Sequence, residues 1–445
     1  MKRILLAVFF ISNILYSQEK IIDTVQGTKQ NLDEVIVKGI RAKFSSPISY
    51  SNIYKEKLKN KNLGQDLPIL LNFLPSVVTT SDAGAGIGYT GIRVRGVSPQ
   101  STNITINGIP FNDPESMGTF WVNLPDFTSS IQSLQLQRGI GTSTNGSGAF
   151  GASINISTDN ISQTPYAEIS SSFGSFNTRK NTIKFSTGKI NDVFEFSGRF
   201  SKIDSDGYVD RAFSDLKSYF IQGTYLKGST LIKAISFAGH EKTYQSWYGL
   251  TMDQLKENRR QNPYTYENEI DNYKQDHYQL HWNEKINNFW SFNLGLNYTY
   301  GRGYFEQYRE DDNIDTYGGI VSSDTNLNGE KTDTTDLIRR RWLDNDFYVF
   351  NSSLNFIKNK IDLTISSSYS SYVGDHFGEV IWARTFSSNG KIRDRYYEGL
   401  GEKKDLSFFT KLLYSIDEKI EFYSDLQYRN VKYNTSGTTS DLVNM

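Results

Sequence analysis

Residues that could carry chemistry are present in this chain, but their spacing does not assemble a catalyst. Gly86-Ile87-Gly88-Tyr89-Thr90-Gly91 matches the G-x-G-x-x-G pattern, with Asp113 downstream. A dinucleotide site built on such a loop needs a helix whose N-terminus meets the pyrophosphate. Here the loop runs into Ile92-Arg93-Val94-Arg95-Gly96, which reads as a strand. Glu310, Asp311, Asp312 and Asp315 are grouped like calcium ligands, yet they lack the D-x-D-x-D-G register and its closing Glu. The histidines His240, His277, His281 and His376 are scattered. His277 and His281 would share a helix face, but their segment alternates as a strand does, so they read as polar residues facing a wet interior. Cysteine is absent, which excludes a disulfide framework and any thiolate site. H-E-x-x-H, a nucleophile elbow and a Walker loop are also missing. The expectation is a protein that is not an enzyme, with no resident metal or cofactor.

The elements that would position these residues are strands. Trp290, Phe292, Leu294, Leu296, Tyr298 and Tyr300 alternate with Ser291, Asn293, Gly295, Asn297 and Thr299. A strand has a side-chain period of two, so one face is apolar and the other polar. Phe194, Phe196 and Phe200 repeat the pattern, as do Ile361, Leu363 and Ile365, and Ile420, Phe422, Leu426 and Tyr428. An aromatic-rich apolar face recurring many times predicts contact with lipid, and a sheet in hydrocarbon must close on itself. The bulk numbers agree. A hydrophobic fraction of 37% in 445 residues argues against helical spans but suits a barrel with a polar lumen, and the 14% aromatic content suits interfacial girdles. A net charge of −1 gives no field to attract nucleic acid.

The N-terminus predicts export. Lys2 and Arg3 precede an apolar run from Ile4 to Leu15, and Ser17 is a small residue suited to cleavage before Gln18, giving a signal peptide over 1–17. Residues 18–31 read as a flexible leader. Residues 45–158 read as a small α+β unit, with a helical stretch from Leu63 to Leu74 interrupted by Pro68. Short strands are expected at Ile92–Val94, Asn103–Ile106, Ile131–Gln137 and Ser153–Ser157, among glycine-rich turns.

Eleven strands are expected in 166–445: near 166–174, 179–187, 193–203, 216–227, 229–240, 273–284, 288–300, 343–357, 359–373, 404–415 and 418–430. After the first turn at 174–178 the links alternate between short (188–192, 227–229, 285–287, 357–360, 414–418) and long (204–215, 241–272, 301–342, 374–403). Outer-membrane barrels have this order, with short periplasmic turns and long outer loops. Their strand number is normally even, so an odd count predicts a truncated barrel.

Three segments carry a family resemblance: Asp33-Glu34-Val35-Ile36-Val37-Lys38-Gly39-Ile40-Arg41-Ala42, then IRVRGVSPQSTNITINGIPFND over 92–113, then LQLQRGIGTSTNGSGAFGASINIST over 134–158. With the strand array they make the chain resemble a TonB-dependent outer-membrane receptor, specifically the iron-chelate and siderophore receptors. The resemblance implies a mainly β fold, with a plug domain inside an antiparallel transmembrane β-barrel of about 22 strands in the family, of which 166–445 supplies half. It implies a TonB box at 32–38, where Asp33, Glu34, Val35, Ile36 and Val37 pair edge-on with TonB. On residues alone, the hexapeptide Leu32-Asp33-Glu34-Val35-Ile36-Val37 reads equally as an ordinary first strand. It implies that Arg95 and Arg138 make ionic contacts with glutamates of the barrel wall, against solvated surface charges as the alternative.

The same resemblance implies active import of a scarce nutrient across the outer membrane of a Gram-negative bacterium, with an iron chelate as ligand, TonB and outer-membrane lipid as partners, and no nucleic acid. Cobalamin, haem, an oligosaccharide or a peptide are the alternatives within the family, and a passive porin or adhesin outside it. Ligand contacts would come from Tyr89, Phe120 and Trp121 on the plug, with cover for the plug core as the equal alternative for rings in glycine-rich loops, and from loop residues Trp247, Tyr248 and Arg309.

Overall fold

The computed structural model describes residues 41–42, 48–140, 150–325, 329–417 and 420–442. The expected signal peptide, leader and box therefore lie outside the described residues.

The N-terminal part is built on a five-stranded sheet. Its elements are β1 (Ser49–Tyr54), α1 (Lys55–Lys59), α2 (Leu67–Leu70), β2 (Val77–Ser81), β3 (Thr90–Val94), β4 (Thr102–Ile106), β5 (Ile109–Pro110), β6 (Ile131–Arg138) and β7 (Ala152–Thr158). The sheet order is β1-β6-β7-β4-β5, with β4 and β7 parallel, and β2–β3 form a separate hairpin. Strands β6 and β7 are buried on both faces. Leu134, Leu136, Ile154 and Ile156 join Ile53, Leu71, Val94 and Trp121 in one apolar core. The opposite face carries amides, which are paired as burial requires: Gln135 Nε2 donates to Ala42 O at 3.0 Å, and its Oε1 accepts from Ala42 N at 2.7 Å. Helix formation is minimal around Pro68, which sits in the first turn of α2, where its missing N–H costs nothing.

The remainder is an antiparallel sheet of eleven strands in sequence order: β8 (Tyr166–Phe173), β9 (Arg179–Ser186), β10 (Phe194–Ser205), β11 (Ser214–Lys227), β12 (Thr230–Tyr244), β13 (Ile270–Lys285), β14 (Trp290–Asn313), β15 (Thr334–Lys358), β16 (Ile361–Ala383), β17 (Arg395–Ser415) and β18 (Glu421–Gly437). The sheet is open, with β8 and β18 at its edges. All eleven expected strands are there, but β14 to β17 run well beyond the expected ends. Much of the expected loop at 301–342 is ladder, because β14 and β15 stay paired out to Asn313 and Thr334. Above the bilayer a strand no longer needs an apolar outer face, so Glu306-Gln307-Tyr308-Arg309 and Arg339-Arg340-Arg341 lack the alternation that marks the lower half.

The outer face bears a band of exposed apolar residues, among them Phe196, Leu280, Leu296, Phe350, Ile365 and Leu426. Tyr278, Tyr298 and Tyr348 are cross-strand neighbours whose rings stack at 6.1 and 4.8 Å. Trp290 and Phe356, with centroids 4.7 Å apart, mark the short-turn end of the band. From Trp290 to Tyr300 the strand has the length of about 9–11 residues that a tilted membrane strand needs. The inner face is less uniformly polar than the alternation predicts. Phe220, Ile235 and Phe237 point inward and complete the core of the N-terminal unit, with Phe127 5.2 Å from Phe237 between ring centroids. Each such buried ring contributes about 1.5–3 kcal/mol to holding the unit against the wall.

Candidate functional site between the plug unit and the wall

Two plug carboxylates anchor the seam. Asp126 adopts a left-handed conformation (φ 52°) just after Pro125, which turns its side chain toward β9–β11. Its Oδ1 lies 2.6 Å from Lys180 Nζ, its Oδ2 lies 3.8 Å from Arg199 Nη1, and Thr182 and Ser201 donate to Oδ2 at 2.7 and 2.6 Å. Burial alone would raise this carboxyl's pKa; Arg199 and Lys180 outweigh it and hold the value well below the usual range. Asp159 is similarly held, by Lys184 and by Lys55 at 2.7 Å. Close approach is allowed by Gly239 on β12, where a side chain would run into the Asn123 carbonyl and Pro125.

Toward the loop end lies a cavity of about 90 Å³. Its lining mixes the aromatic rings of Tyr89, Phe111, Phe120, Tyr273 and Phe305 with Arg341, Glu241 and Asp271. Glu241 and Asp271 face inward from adjacent strands, and the Tyr89 hydroxyl donates to Asp271. Burial first, then the negative charge of Asp271, pushes the Tyr89 hydroxyl pKa well above its usual value, so it stays a donor. Asp66, at the start of α2, is buried and accepts from Thr90 Oγ1 at 2.9 Å; burial raises its pKa strongly. The Arg341 guanidinium is 5.4 Å from the Phe305 ring and 5.8 Å from Tyr397. Such a cavity can grip a ring by stacking and present both hydrogen-bond donors and acceptors to its substituents.

The expected site residues are distributed unevenly. Tyr89 and Phe120 line the cavity, and Trp247 packs edge-on against Tyr89 at 5.4 Å. Trp121 does not reach it. It is 2% exposed and belongs to the plug core, because the short 3₁₀ turn it opens points its indole inward. Tyr248 stacks on Tyr264 at 5.0 Å on the outer loops, and Arg309 is engaged by Asp312 at 2.9 Å. Arg138 donates to Pro75 O at 3.1 Å and Ser51 Oγ at 3.0 Å, both within the plug unit, and Arg95 is exposed beside Gly139. Neither meets a wall carboxylate among the described residues. The buried ionic contacts that the structure does show, those of Asp126 and Asp159, put acids on the plug and cations on the wall, and the exposed Lys59–Glu168 pair at 2.9 Å runs the other way. Asp126, Asp159, Glu241 and Asp271 were not legible in the sequence, since nothing local distinguishes them from solvated acids.

Residues 42–153 match the family model of the TonB-dependent receptor plug domain. The N-terminal unit is a TonB-dependent receptor plug domain. The probable TonB-dependent siderophore receptor PirA of Acinetobacter baumannii is 25% identical over 190 residues, covering 40% of this receptor and 23% of PirA. Among solved structures, the ferric-catecholate import receptor Fiu of E. coli K12 superposes with a TM-score of 0.66 at 13% identity, covering 88% of this chain and 61% of Fiu. The ferric yersiniabactin uptake receptor FyuA of Yersinia pestis gives 0.61 at 14% identity, covering 88% and 61%. These superpositions show the shared plug-and-barrel fold. The receptor chain spans less than two thirds of the length of each of these relatives.

Proposed function

We propose that this receptor imports a ferric chelate across the outer membrane of a Gram-negative bacterium, driven by TonB acting on residues 33–37. The observation that carries the reading is the aromatic-lined cavity where the plug unit meets the wall at the loop end. It faces the side from which a ligand arrives, and the plug blocks free passage below it. The siderophore and ferric-chelate receptors named above share the fold and support the cargo class. Asp33, Glu34, Val35, Ile36 and Val37 form a short segment of high strand propensity, suited to edge-on pairing with a partner sheet. Arg341, with Arg339 on the same face of β15, supplies cationic donors for an anionic chelate.

The test is growth of a deletion strain on single iron sources, each a defined ferric chelate such as citrate or a tris-catecholate. The full-length receptor should restore growth on at least one of them, and the same receptor lacking residues 33–37 should not. Equal growth with both would leave a passive pore as the better account.

A further inference from the structure

The plug unit meets the wall in two different ways. Toward β9–β12 it is fixed by the buried ion pairs of Asp126 and Asp159 and by the Phe127, Phe220 and Phe237 contact. Toward β14–β17 runs a line of cavities. The outer one, of about 90 Å³, shares Phe111, Asp113 and Asn345 with a smaller one of about 30 Å³. That one shares Asn112, Asp113 and Tyr372 with an inner cavity of about 220 Å³. The inner wall is made of small polar residues such as Asn351, Ser366, Ser368 and Ser370, a surface that neither grips nor repels a hydrated solute.

One loop, residues 111–118, crosses this line, and Asp113 borders all three cavities. Asn112 braces the loop from within, accepting from Ile104 N at 2.7 Å and donating to Met117 O at 2.9 Å. Glu115 fastens it to the wall. Its Oε2 accepts from His376 Nε2 at 2.7 Å and from Tyr372 Oη at 2.9 Å, and its Oε1 accepts from Tyr433 Oη at 2.9 Å. Gly401 on β17 leaves room for that carboxylate, since any side chain there would strike it. Burial would raise the Glu115 pKa, but these three donors hold it below the ordinary value, which keeps the acceptor charged.

We propose that cargo passes the plug along this line of cavities, on the β14–β17 side, and that Glu115 is the positioning residue that keeps loop 111–118 closed across it. The identity of the cargo rests on the import reading above; the closure does not. Three charge-assisted bonds meet on one carboxylate, so losing it shifts the closed loop's population by at least tenfold.

These 445 residues contain no cysteine; with any cysteine elsewhere in the full-length receptor replaced by serine, a single introduced thiol reports alone. Ser368→Cys places one on the inner cavity wall, and Thr182→Cys places one at the Asp126 seam. Intact cells producing the full-length receptor are treated with a membrane-impermeant maleimide from outside. With Glu115 in place both thiols should be protected. Glu115→Ala should raise labelling at position 368 at least tenfold, and leave position 182 protected. Glu115→Gln, which keeps one of the two acceptor oxygens, should give labelling at 368 between that of the native receptor and that of Glu115→Ala. Unchanged labelling at 368, or a rise at 368 and 182 together, would overturn the proposal, the second result showing a plug that has loosened as a whole. The assay uses neither an iron chelate nor TonB, so it can fail while the import reading stands, and the reverse.

Discussion

Lys180 Nζ of the wall lies 2.6 Å from Asp126 Oδ1 of the plug, and neither side chain is more than 4% exposed. Arg199, 1% exposed, closes the same carboxylate from the other side. A buried pair of this kind contributes little against an apolar replacement, but removing one member leaves an uncompensated charge. Asp126→Ala strands two cations at once. It should destabilise the folded receptor by about 3–5 kcal/mol, measured as a lower urea midpoint for loss of plug protection against protease. The sign of the pH dependence follows from the depressed carboxyl pKa. The contribution is complete above the unfolded value of roughly 3.9 and is lost as pH falls toward the folded one. Protease resistance should therefore persist at pH 5 in the native receptor and fail only in stronger acid.

Phe120 and Trp121 are sequence neighbours with opposite expected phenotypes. Phe120 is 44% exposed and lines the outer cavity, whereas Trp121 is 2% exposed in the plug core. Trp121→Ala should cost about 3–5 kcal/mol of stability while sparing ligand affinity in whatever receptor still folds. Phe120→Ala should leave the unfolding midpoint nearly unchanged and weaken chelate binding by about tenfold, the worth of one stacked ring. Isothermal titration and denaturation of the two purified variants separate these outcomes.

That pair shows where sequence reading stops. Period-two alternation exposed every membrane-crossing strand, because lipid on one side and a wet lumen on the other write opposite polarities at successive residues. The same rule is silent on Thr334 to Trp342, where both faces meet water or protein, so the ladder's upward extension has the sequence pattern of a loop. Arg138 was legible as a charge near the plug but not as a donor to Pro75 and Ser51, since that depends on which plug residues are folded beside it. The inward Phe220 and Phe237 occupy positions that alternation assigns to a polar lumen. Only the arrival of Phe127 makes an apolar wall favourable there.

Leu296 and Asn297 test the facing of β14. Leu296 is 37% exposed on the apolar band, and Asn297 is buried inward, donating to Thr299 at 3.0 Å. Leu296→Arg should destabilise the barrel in bilayers by about 2–4 kcal/mol, the cost of a basic residue near the midplane. Asn297→Ser should cost less than half as much. Equilibrium unfolding from lipid vesicles reads both.

Glu269, between β12 and β13, accepts from Tyr308 N at 3.2 Å, and burial pushes its carboxyl pKa up to about 7. A raised carboxyl pKa means the folded loop favours the protonated form. Its stability is therefore greatest below the unfolded value of roughly 4.3 and declines as pH rises through about 7. Amide exchange across residues 245–269 should be slower at pH 5 than at pH 8 after correction for intrinsic rates, and Glu269→Gln should remove the difference.

Transport energised through residues 33–37 is the central claim. Uptake of ⁵⁵Fe, supplied as the chelate that supports growth, should be time-dependent in cells with the full-length receptor. In cells whose receptor lacks residues 33–37 it should fall to background, while surface binding of the same chelate is retained. Uptake at an equal rate by both receptors would contradict it.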